Sequence, residues 1–237
     1  MKSIRKLPDM DRSTIGPAVD IPILTFYEGI FDSVFLSLNP FLQLLDSSTL
    51  KMEEFWNEDL LDDFKKRIIE NTSPISWHEI LMLTGFNNII KIDVALRTAI
   101  TGLVEEKRNC VWEDILIQIT DKNQMFIPSE GCFPEIQINF ILKAIKRQGY
   151  DWICLGTEFG DCMELVWIDD LINDVIGIQH NRNLYTYDRK ILITCHWDSF
   201  QVYICSSHAT VKKIVHDARL EGFYANQKTE VYWSTRK

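Results

Sequence analysis

The stretch ILITCHWDSFQVYIC, residues 191–205, decides the fold class. Two runs rich in Ile, Leu, Val and Tyr flank Asp198-Ser199, which is the pattern of a β-hairpin. Pairing the runs about that turn sets Ile193 opposite Ile204, Cys195 opposite Val202 and Trp197 opposite Phe200. Thr194 then faces Tyr203, and His196 faces Gln201. One face is apolar and the other mixed, which predicts an antiparallel sheet packed on one side. The same register keeps Cys195 and Cys205 apart, against a disulfide between them.

Outward from this hairpin the last third reads mainly as strands. Residues 152–157 and 163–168 flank a Phe159-Gly160-Asp161 turn, and a short helix is expected near 169–178. Downstream, a helix is expected over 209–222 and a strand over 230–234. Upstream, Pro134 and Gly149 bracket an amphipathic helix over 134–148, with Ile136, Phe140, Ile141, Ala144 and Ile145 on its apolar face.

The first half reads as helices. Residues 23–46 are apolar, and Asn39-Pro40 should divide them into two short helices. Ser47-Ser48-Thr49 caps a helix of about 50–70, whose other face is acidic from Glu53 to Asp63. Ser76-Trp77-His78-Glu79 is a capping box that opens a helix ending at Gly85. A second helix starts near Asn87 or Asn88, with Ile89, Ile92, Leu96, Ala99, Ile100 and Leu103 as its stripe. Residues 114–120 and 124–128 read as a hairpin about Asp121-Lys122-Asn123. The expected architecture is therefore α+β: a helical N-terminal half packed on a mostly antiparallel C-terminal sheet, with one or two covering helices. Residues 1–22 form an extended arm, 23–149 a mainly helical subdomain and 150–237 the sheet subdomain, together one compact unit.

Composition bounds the function. The chain has 237 residues, with 34 Asp and Glu against 25 Lys and Arg, for a net charge of −9. Such a charge opposes a general polyanion or membrane-surface binder. No run is apolar enough to span a bilayer or to follow Lys2, Arg5 and Lys6 as a secretion signal. The six cysteines show no C-x-x-C spacing, which points to buried free thiols and the reducing cytoplasm.

Several constellations invite chemistry. Residues 76–104 have a helix–turn–helix outline, with Asn88, Lys91 and Arg97 as candidate nucleic-acid contacts. That helix offers only two basic groups along its body, opposed by Asp93, so core packing is the commoner origin of the outline. His196 and Asp198 share a strand face, but no third metal ligand accompanies them, and no metal or cofactor is expected. Cys205 and His208 can meet where a strand enters a helix, where the helix terminus would lower a thiol pKa. His196, Asp198, Cys205 and His208 are thus the candidate catalytic residues of a hydrolase-type enzyme on the C-terminal sheet. Acids gather again at 158–170, and seven tryptophans are spread along the chain. A tryptophan left exposed beside acids would anchor an interface.

The segments CFPEIQINFILKAIKRQGYDWICLG (132–156) and ITCHWDSFQVYICSS (193–207) resemble an uncharacterised protein family of Bacillus-type bacteria, a domain of unknown function. The resemblance implies no activity and carries over no functional residue. The leading expectation is a non-enzymatic protein-interaction module with an acidic surface, its partner another protein. The alternatives are a helix–turn–helix regulator and an enzyme on the C-terminal sheet.

Overall fold

The computed structural model of the chain describes residues 11–48, 64–173, 178 and 183–235. The 191–205 hairpin forms as the sequence requires. Strand β8 (Leu192–Cys195) pairs with β9 (Gln201–Ser206), with Ile193 opposite Ile204, Thr194 opposite Tyr203 and Cys195 opposite Val202. Asp198 makes the turn at a φ of 49°, a left-handed conformation that Asp tolerates better than most side chains.

Around this hairpin lies a seven-stranded antiparallel sheet. Its other members are β1 (Ser33–Leu38), β5 (Trp152–Gly156), β6 (Cys162–Trp167), β7 (Asn183–Tyr185) and β10 (Gly222–Tyr224), in the order β10-β1-β9-β8-β7-β5-β6. Both faces of its central strands are covered, not one. Helices α6 (Glu135–Arg147) and α8 (His208–Ala218) press Ile138, Ile141, Ile145, Val211 and Ile214 onto one face, against Ile193, Val202 and Ile204. The segment around α1 (Ile23–Phe26) presses Ile15, Ile23 and Tyr27 onto the other, against Leu192, Tyr203 and Cys205. Tyr203 belongs to this second core because its ring fills it, while its hydroxyl accepts a bond from Gln201 Nε2 at 2.8 Å.

The apolar run 23–46 departs from the expected pair of helices. Only α1 is helical; β1 enters the sheet between β9 and β10, and β2 (Phe41–Leu44) follows Pro40. All six residues of β1 are buried. A strand with no solvent face shows no alternation of polarity, so its period cannot be told from that of a buried helix.

A second body packs at one end. Strand β2 pairs with β3 (Thr72–Ile75) and with β4 (Met125–Phe126). Helices α2 (Phe64–Asn71), α3 (Trp77–Thr84), α4 (Ile89–Ala99) and α5 (Cys110–Lys122) accompany this small sheet. Trp77, Ile80, Ile92, Leu96 and Leu116 meet Phe41 and Phe200 in its core. The expected hairpin at 114–128 is α5 followed by β4. Ile115, Ile117 and Ile119 mimic a strand, but Asn109 caps a helix there, its side chain accepting from the Trp112 N–H at 3.0 Å.

The capping box at Ser76 and the left-handed Gly85 (φ 71°) are both present, as is the Asn88 cap of α4. Pro134 is the N-cap of α6, one place before its first turn. Helix α8 stops at Ala218, with Arg219 in a left-handed cap, which frees 222–224 to form β10. The segment at 230–234 is not a strand; Trp233–Thr235 make a 3-10 turn, and the Trp233 ring lies 5.0 Å from that of Phe223. Residues 50–63 of the expected 50–70 helix, and 174–177 of the expected 169–178 helix, lie outside the described residues; within them α2 and α7 (Ile168–Ile172) are helical.

β10 depends on one close approach. A Cβ at Gly222 would sit 2.0 Å from the Leu36 carbonyl oxygen, far inside contact distance. Gly222→Ala is expected to unpair β10 from β1 while leaving β1 on β9. Amide hydrogen exchange checks this: the β1 groups facing β10 should lose protection and those facing β9 should keep it.

Candidate functional site

The strongest sequence candidates do not come together. Cys205 is fully buried in the core under α1, where burial pushes its thiol pKa well up. A thiol there is neither ionised nor reachable. His208 is exposed at the start of α8, its ring 5.5 Å from that of Tyr224. His196 and Asp198 belong to the β8–β9 turn, where His196 Nδ1 lies 2.7 Å from the Trp197 carbonyl oxygen. Cys132, beside the same turn, has its pKa pushed up to about 12 by burial and by Glu135. Among the described residues no three His, Cys, Asp or Glu side chains form a group able to hold a metal.

The helix–turn–helix candidates are engaged within the fold. Asn88 caps α4, accepting from the Lys91 N–H at 3.3 Å. Lys91 lies over the rings of Phe86 and Trp112, at 5.9 and 5.3 Å. Arg97, expected on the open side of α4, is 0% exposed. It stacks on Tyr232 at 4.4 Å, and its Nε is 3.0 Å from Asp93 Oδ2. Ser234 also donates to that carboxylate. Every α4 residue from Ile92 to Thr98 is buried, whereas a recognition helix must lay its body in a groove. The i, i+4 spacing of Asp93 and Arg97 was the readable sign that they answer each other.

The sequence reading did not locate the feature that the fold leaves open. The face that α1 and its flanks cover over β9, β8 and β7 stays covered at Cys154 in the middle of β5, and opens at Trp152 and along β6. Trp152 and Trp167 face each other across this hairpin, ring centroids 3.4 Å apart and nearly parallel at 28°. They are 37% and 46% exposed, and Leu165, next along the same face, is 48% exposed. The stacked pair is held by the strand register and by the Ile168 N–H, which donates to the Asp151 carbonyl at 2.9 Å.

Asp151, Glu158 and Asp161 are exposed beside the hairpin; Glu164 and Asp169, the latter paired with Lys146 of α6, belong to the opposite side of the sheet. Phe159 stands out at the hairpin tip, 73% exposed. β6 is an outermost strand, and no described strand pairs with its free edge. Chemically the arrangement offers an outermost strand and flat aromatic surface with carboxylates beside it.

Among the described residues no helix is long and apolar enough to cross a membrane. A family model described as a protein of unknown function, DUF2711, matches residues 19–235. No curated protein and no solved structure matches the chain.

Proposed function

The chain belongs to the DUF2711 family of proteins of unknown function, and from that premise we propose that it is a non-enzymatic protein-interaction module whose β6 edge receives an extended basic segment of another protein. The observation that carries this reading is the stacked, half-exposed Trp152–Trp167 pair, with carboxylates beside it. Large aromatic surface at the end of an open sheet is costly to leave in water, and Trp is enriched at binding hot spots. An edge strand takes a partner strand by main-chain hydrogen bonding. Asp151, Glu158 and Asp161 beside the hairpin favour Lys and Arg, and the indole faces favour a cation above them. Burial of Cys154, Cys195 and Cys205 as free thiols suits a reducing cytoplasm as the place of work.

Titration of the full chain with an extended peptide alternating Arg and Val tests the reading, with isothermal calorimetry as the readout. Binding should weaken as salt is raised. Trp152→Ala with Trp167→Ala should weaken it about thirtyfold, from ~2 kcal/mol for a hot-spot aromatic. Equal binding of a peptide with Glu in place of Arg would overturn the basic partner. Binding untouched by the double substitution would overturn the face.

A further inference from the structure

A cleft of about 740 Å³ lies between α6, the turn from α8 into β10, and the start of α3. Its walls are largely apolar, with Ile75, Ile136, Phe140 and Leu220 among them. That volume suits a small molecule, since such sites measure roughly 300–1,000 Å³.

Three carboxylates reach the cleft, and the fold engages each one. Glu79 accepts from the Ser76 N–H at 2.9 Å and the Ser76 hydroxyl at 2.7 Å, bonds that hold its carboxyl below the usual range. Glu221 accepts from the Trp77 N–H at 2.7 Å and the His78 N–H at 2.9 Å, so the start of α3 is already closed by an anion. Asp217 lies 3.1 Å from His216 Nδ1 and 4.0 Å from Arg147 Nη1.

The cations are not balanced in the same way. Lys143 lies 6.0 Å over the Phe140 ring and has no carboxylate partner among the described residues. Arg219 likewise has no carboxylate partner among the described residues. It adopts a left-handed φ of 52° at the end of α8, a conformation normally left to Gly or Asn. In the wall, Gln137 is only 7% exposed. Its Nε2 donates to Ser37 Oγ at 3.0 Å and to the Leu38 carbonyl at 2.9 Å, while its Oε1 has no protein donor.

We propose that this cleft binds a small amphipathic anion, its apolar body against Ile136, Phe140 and Leu220 and its charged head between Lys143 and Arg219. The inference is independent of the tryptophan face. Carboxylate and phosphate heads share this chemistry.

Displacement of the dye anilinonaphthalene sulfonate from the full chain tests it, using decanoate, decyl phosphate, decanol and decyltrimethylammonium. Both anions should displace the dye, and the tighter one names the head group. The neutral and cationic chains should do so at least tenfold less well. Lys143→Gln with Arg219→Gln should weaken the dye itself and, once competition constants are corrected for that, both anions about tenfold, with the melting temperature and the corrected constant for decanol unchanged. Trp152→Ala with Trp167→Ala should leave anion binding intact. Decanol or decyltrimethylammonium matching the anions would overturn the proposal, as would a Lys143/Arg219 variant that binds them normally. So would no displacement by any anion, or loss of anion binding in the tryptophan variant.

Discussion

Replacing Arg97 with leucine is expected to cost about 3–5 kcal/mol of stability, read from urea denaturation. Arg97 and Asp93 are both fully buried, and each is the other's principal counter-charge. Removing the guanidinium strands a carboxylate in the interior, with the Ser234 hydroxyl as its remaining donor. Burial already pushes the Asp93 carboxyl up; Arg97 and Ser234 oppose that push. Without Arg97 it rises further. A carboxyl whose pKa is higher folded than unfolded destabilises the fold at neutral pH, and protonation removes that penalty. The stability gap between variant and native chain should therefore narrow as pH falls towards the ordinary carboxylate range. A gap constant with pH would mean that Asp93 is not the group left uncompensated. Arg97→Leu with Asp93→Leu should recover most of the loss, because two apolar side chains leave no charge behind.

Trp77→Ala should cost a similar amount, about 3–5 kcal/mol, for a different reason. Trp77 is fully buried at the centre of the helical body, edge-on to Phe41 at 6.2 Å. Its Nε1–H donates to the Asn39 carbonyl at 2.7 Å, just where the chain leaves the large sheet for β2. Alanine leaves a cavity and an unsatisfied carbonyl together. Trp77→Phe keeps most of the ring volume and loses the donor, so it should cost about 1–3 kcal/mol. Equal losses for the two variants, measured by the same denaturation, would assign the whole effect to the hydrogen bond and none to packing.

The elements legible in the sequence were those with a local chemical signature. The Ser76 capping box, Gly85, Asn88 and the Asp198-Ser199 turn each fix a backbone group within a few residues of themselves. The register of β8 on β9 followed from the turn alone. Elements whose identity depends on distant partners were not legible. β1 looks helical until β9 and β10 are placed on either side of it. α5 carries a strand-like alternation that its Asn109 cap overrules. Arg97 reads as a surface cation because the residues that cover it, Tyr232 and Ser234, lie far along the chain. The candidate face was half legible: Trp152, Trp167 and the acids at 158–170 stand out as residues. Their exposure depends on where the covering segment around α1 ends, and no residue of the hairpin encodes that.

The insertion of β1 between β9 and β10 has a consequence for biosynthesis. Both neighbours of this early strand are made about 170 residues after it. At roughly 5–20 residues per second the ribosome needs about 10–35 s to supply them. Throughout that interval Ser33–Leu38, a segment buried along its whole length in the finished fold, must wait without its hydrogen-bonding partners. The nascent chain therefore spends most of its synthesis with this largely apolar strand unpaired, and a chaperone has a defined window in which to hold it.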